Sequence, residues 1–221
     1  MKNILLIISM LLSVISSFAQ LNNPYNQKGI DYVSSLNMIK NDYNSGKAKN
    51  FSEETLKYYS KLIPLQTQVS VDVASAIVGA RSNGTLHFSS FIEKTSLSDL
   101  SKKSLTDMIE GSSARTDNDF KTILTAKADV INNSKIPAAE KELVLSLMAI
   151  SWNLTSSSEV SAMRNEDGGC WISGPYGQGP GSSAQCIAAG AVVGGIIGWS
   201  ICGFWCALGG AVIGGIVGGL S

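Results

Sequence analysis

The chain has 221 residues and a formal net charge of zero, with 44% hydrophobic and 15% charged residues. This length allows one or two small domains, and the balanced charge excludes the overall basic excess expected of a nucleic-acid partner. The average conceals a sharp break. Every charged residue and the single histidine lie at or before Asp167, whereas the 54 residues from Gly168 to Ser221 hold 17 of the 22 glycines and all four cysteines.

The N-terminus comes first in chain order. Lys2 supplies a positive start, Ile4 to Ile15 form an apolar run, and Ser17-Phe18-Ala19 places small residues where a cleavage site needs them. This predicts a secretory signal peptide over residues 1–19, cut after Ala19, and export to the periplasm, cell envelope or medium. The alternative is a retained anchor helix, but the run is short for the roughly 20 residues of a span. Export would permit disulfides.

Residues 20–160 read as a helical domain. Asn23-Pro24 opens the first helix with proline at the first helical position. Tyr32, Leu36, Ile39 and Tyr43 repeat on one helical face, and Asn44-Ser45-Gly46 ends it. Ser52 caps a second helix with the stripe Leu56, Tyr59, Ile63, stopped by Pro64. A third carries Val69, Val73, Ile77 and Ala80 and breaks at Asn83-Gly84, although Val69 to Val73 also fits a short strand. A fourth carries Leu97, Leu100, Leu105, Met108 and Ile109, with Gly111 as its C-terminal cap. A fifth, from about Asn118 to Ile131, aligns Phe120, Leu124, Ala128 and Ile131. The last starts at Pro137 and aligns Leu143, Leu147, Ile150 and Leu154. The expectation is an all-α bundle of five to six helices, long enough to bury a core.

Catalytic patterns are missing from this body. His87 stands alone, flanked by Leu86 and Phe88, and reads as a packed or surface residue. There is no zinc-protease helix motif, no phosphate loop and no nucleophile elbow. Glu53-Glu54, Asp117-Asp119 and Glu140-Glu142 read as solvated helix starts and faces. No enzyme activity, cofactor or metal is expected.

Residues 161–185 form a Gly/Pro/Ser-rich linker. Gly174-Pro175-Tyr176-Gly177-Gln178-Gly179-Pro180-Gly181 reads as irregular loop, neither helix nor strand.

Residues 186–221 contain a repeat at an offset of 20. The segment from Gly190 to Gly198 aligns with that from Gly210 to Gly218, with seven of nine positions identical and Val exchanged for Ile at the other two. Gly190, Gly194 and Gly198 in the first copy, and Gly210, Gly214 and Gly218 in the second, recur every four residues. On a helix such glycines make a groove that lets a second backbone approach, as in membrane helix pairs. Trp199 and Trp205 lie between the copies and suit a water–lipid interface. One helix of this length would run about 54 Å, too long for a hydrocarbon core of about 30 Å. Two short helices turning near Ser200 to Cys206 fit better. The segment Ile187 to Trp205 contributes only roughly −2 to −4 kcal/mol toward insertion. The tail is therefore expected to pack with membrane lipid or its own copies, with burial inside the protein and β assembly as the alternatives.

Cys170, Cys186, Cys202 and Cys206 are even in number and predict disulfides, with three connectivities open. Cys170–Cys186 with Cys202–Cys206 is favoured; only the latter pair is close in sequence, which disfavours a zinc site built from all four.

From Cys170 to Ser221 the glycine-zipper, charge-free, cysteine-containing character resembles the mature region of bacteriocins and class II microcins, and glycine-zipper segments of envelope proteins generally. The resemblance implies a secreted, membrane-active peptide. Bacteriocin leaders are often cut after a double glycine, and Gly168-Gly169 lies where the charges stop. Cleavage after Gly169 would free a neutral 52-residue peptide, Cys170 to Ser221. The pattern departs from such leaders in two ways: they are short, N-terminal and not secretory, and of the three positions where they favour apolar residues, here Glu166, Met163 and Ser158, only Met163 fits. The leading reading is a non-enzymatic exported protein with a membrane-interacting, self-associating tail. The alternative is a structural envelope protein that uses the tail as an oligomerising anchor or buried core element.

Overall fold

The computed structural model describes residues 22–45, 92, 95–111, 116–157, 171–174 and 177–180, together with tail positions 187, 188, 190–192, 194, 195, 198, 210, 211 and 214. The expected signal peptide, the helices over 52–63 and 69–80, His87, Gly168-Gly169, all four cysteines, Trp199, Trp205 and Gly218 lie outside these residues. The described part is mainly helical, in keeping with the all-α expectation. Its long helices are α1 (Asn26–Asn44), α2 (Asp99–Gly111), α3 (Asp117–Asn132) and α4 (Ala138–Ser156).

Helix α4 is the centre. The sequence suggests a single apolar stripe, but every residue from Leu143 to Ile150, and Ser151 after it, is buried. A helix that is apolar nearly all round needs neighbours on all sides. Helices α1, α2 and α3 all pack on it. Leu143, Leu147, Ile150 and Leu154 are fully buried, and so are Val144, Leu145 and Met148, which the stripe omits. Burial of each large aliphatic side chain contributes about 1.5–3 kcal/mol.

Helix α3 follows its expected pattern, with Phe120, Leu124, Ala128 and Ile131 facing inward. Its start has a reciprocal cap. Thr116 Oγ1 accepts from the Asp119 backbone N–H at 3.1 Å and donates to the Asp119 carboxylate at 2.8 Å. Thr116→Ala should lower the unfolding free energy by about 1 kcal/mol, read as a shifted urea midpoint with unchanged slope. At the other end, Lys141 Nζ donates to the carbonyls of Asn132 at 3.0 Å and Ser134 at 2.9 Å, placing a cation on the negative helix end.

Helix α2 buries Leu105, Met108 and Ile109, with Leu97 buried just before it and Leu100 half-buried. Gly111 is the last helical residue rather than a left-handed cap beyond the end. A Cβ there would meet Ile123 methyls at 3.3 Å, so the glycine serves the α2–α3 contact. An ion pair from Lys127 to Asp107 joins the same two helices.

Helix α1 begins two residues later than Pro24 predicts. Asn23, Pro24 and Tyr25 form a turn in which the Asn23 side chain accepts from Tyr25 N–H at 2.8 Å, and its backbone carbonyl accepts from Asn26 N–H at 3.1 Å. The Asn23 amide also donates to the Leu145 carbonyl at 2.6 Å, pinning the turn to α4. Further along, Lys28 pairs with Glu142 at 2.6 Å and Asn153 donates to Asn26 at 2.9 Å. A Cβ at Gly29 would overlap the Ala149 carbonyl oxygen, so glycine is what lets α1 lie this close to α4.

The linker holds regular structure that its composition conceals. Strands β1 (Trp171–Gly174) and β2 (Gly177–Pro180) pair antiparallel, with Trp171 opposite Pro180 and Gly174 opposite Gly177. Two residues separate them, the shortest common hairpin connection. Pro180 ends an edge strand, where a missing N–H is tolerated. An isolated two-stranded pair is marginal, and here β1 lies against α2.

Candidate functional site

The two glycine repeats meet. All described positions of the tail are helical, whereas the β alternative would require strand. A Cβ at Gly194 would overlap the Gly210 carbonyl oxygen and lie 3.0 Å from the Gly214 Cα. One at Gly210 would overlap the Gly194 carbonyl oxygen, and one at Gly214 the Gly190 carbonyl oxygen. As the first copy advances through 190 and 194, its partner recedes through 214 and 210, so the copies run antiparallel. Gly198 joins the row, its Cα 3.3 Å from where a Gly210 side chain would begin. At Gly194, Gly210 and Gly214 a side chain is thus excluded by the opposite backbone.

The paired copies are enclosed. Ile187, Ala188, Ala191, Val192 and Ala211 are each at most 1% exposed. One side of the enclosure is α1, where the fully buried Tyr32 donates its hydroxyl to the Ala211 carbonyl at 2.9 Å. Burial pushes the Tyr32 phenol pKa far upward, so it stays a neutral donor. From its stripe, Tyr32 reads only as core packing. Its bond to the tail spans 179 positions, and no local sequence signal marks a contact of that range.

The acidic pair Glu140-Glu142 departs from the solvated reading. Glu142 is half-buried in its pair with Lys28. Glu140 is buried, and one carboxylate oxygen accepts from Ser98 N–H at 3.0 Å, Ser98 Oγ at 2.6 Å and Ser101 Oγ at 2.7 Å. Burial raises its pKa, but the Ser98 and Ser101 hydrogen bonds and the nearby Lys102 charge outweigh that and hold it below the usual value. The carboxylate lies in the first turn of α4 and caps the start of α2, so it faces the positive ends of two helices. The cluster fastens the start of α2 to the start of α4.

Among the described residues, no three His, Cys, Asp or Glu side chains come together as a metal site, and no helix is long and apolar enough to cross a membrane. The structure brings together Gly190, Gly194, Gly198, Gly210 and Gly214; Gly218, the four cysteines and both processing positions, Ala19 and Gly169, lie outside the described residues. No family model matches the chain, and no curated protein or solved structure is similar to it at a significant level.

Proposed function

We propose that this is a non-enzymatic exported protein whose helical body holds a membrane-active glycine hairpin in a packed, water-excluded form. The supporting observation is the enclosed, antiparallel glycine pairing docked on α1 through Tyr32. A charge-free segment with Val and Ile ridges cannot remain exposed in water without inviting association. The body covers it in the folded chain, and a bilayer offers it equivalent surroundings. The weak insertion energy fits a segment that needs a carrier. In this reading, cleavage after Gly169 or undocking hands the segment to lipid, as the bacteriocin resemblance implies.

The test compares intact protein with protein cut after Gly169, each mixed with dye-loaded vesicles of phosphatidylcholine and phosphatidylglycerol. The intact chain should retain the dye, and the cut preparation should release it. No release by the cut preparation would refute the reading.

Complete burial of Ile187, Ala188 and Ala211 favours a second reading, in which the hairpin is a permanent core element of an envelope protein. Deleting residues 186–221 separates the two. A body that still melts cooperatively is a carrier, and one that loses its cooperative transition depends on the tail for its core.

A further inference from the structure

Helix α1 is fastened to α4 and, next to that contact, engages the tail. Asn23, Asn26, Lys28 and Gly29 fasten it to α4. Tyr32, three residues beyond Gly29, meets the tail. The dock is therefore preorganised, since the element that presents the phenol is held by bonds that do not involve the tail.

The hydrogen bond itself is asymmetric. Ala211 is helical, and a carbonyl oxygen has two lone pairs, so it can serve its own helix and accept the phenol as well. When the tail leaves, the Tyr32 hydroxyl exchanges that acceptor for water, so the bond adds its modest net share to the docked state alone. The bond thus strengthens the docked state without strengthening the tail's own fold. A contact that exists in one state only sets the balance between the two.

We propose that Tyr32 is the latch of an autoinhibited state, its hydroxyl holding the glycine hairpin on the body through Ala211 and so keeping the hairpin from lipid bilayers. This deepens the carrier reading and rests on it for the identity of the recipient surface; the latch itself is a property of the chain alone.

The experiment uses the full-length protein with Tyr32→Phe, which keeps the ring and removes the hydroxyl. Gly214→Ala serves as a reference that pries the hairpin apart without touching α1. Hydrogen exchange by mass spectrometry should show tail peptides spanning 210–214 exchanging about tenfold faster in Tyr32→Phe, equivalent to about 1.4 kcal/mol, with α3 and α4 peptides unchanged. At a concentration where the wild-type chain retains the dye, Tyr32→Phe should release it from phosphatidylcholine–phosphatidylglycerol vesicles. Unchanged tail exchange, or acceleration spread equally over α3 and α4, would overturn the latch. Faster tail exchange with intact vesicles would uphold the latch and overturn the lipid bilayer as recipient.

Discussion

Gly194→Ala should destabilise the docked tail by about 3 kcal/mol, because the added methyl has nowhere to go. Two effects compete. Alanine is the better helix former by about 1 kcal/mol, which favours the substitution. Against it, the new Cβ would overlap the Gly210 carbonyl oxygen and press on the Gly214 Cα at 3.0 Å. Overpacking against movable side chains already costs about 1–3 kcal/mol, and a backbone cannot rotate out of the way. The clash wins, and the copies must separate. Urea unfolding should show a lower midpoint, and hydrogen exchange should show lost protection confined to the tail and α1. Gly111→Ala is the contrast. Its new methyl meets Ile123 Cδ1 and Cγ2 at 3.3 Å, side-chain atoms that need give only a few tenths of an ångström, so the helix-propensity gain roughly offsets the crowding. Equal midpoints for the two variants would refute the glycine pairing.

Glu140→Ala should lower the unfolding free energy by about 3 kcal/mol, since it strands buried donors at the start of α2. Glu140→Gln should cost less. All three bonds converge on one oxygen, and a carboxamide oxygen can occupy that place without the charge. The two variants also separate in their pH dependence. The folded-state pKa of Glu140 lies below its ordinary value of 4.5. Such a group binds its proton more readily in the unfolded chain, so its contribution is complete above about pH 4.5 and declines as pH falls through the lower folded value. Wild-type protein should therefore lose stability in that acid range faster than Glu140→Gln, the gap between them closing as pH falls. A constant gap from pH 7 to pH 3 would show that the carboxylate charge is not engaged by the helix starts.

The sequence and the structure agree where the pattern is local and one-sided. Phe120, Leu124, Ala128 and Ile131 are spaced for one face, and that face is buried. Among the described glycines, Gly194, Gly210 and Gly214 stand where backbone meets backbone. Three features escape a local reading. The stripe of α4 is legible, but its other faces look equally apolar, and only the surrounding helices show that all are covered. Glu140 looks like any acidic residue in a first helical turn, because its partners Ser98 and Ser101 come from another helix start. Tyr32 finds its acceptor 179 residues away, so the chain has no nearby signal that distinguishes a hydrogen-bonded phenol from a merely packed ring. In β1 and β2 the composition misleads in the other direction. Glycine and proline disfavour strands in general, yet a two-residue connection and an edge position accommodate both.

The small β-hairpin has a mechanical consequence. Because Trp171 pairs with Pro180, the chain leaves β2 about one strand spacing, roughly 4.8 Å, from where it entered β1. Ten residues that would extend about 33 Å if drawn out contribute almost no reach. The tether between body and tail is thereby shortened, and a shorter tether raises the concentration at which an undocked tail meets its own α1. In the proposed carrier, re-docking would therefore compete better with capture by another copy of the chain than it would on an extended tether.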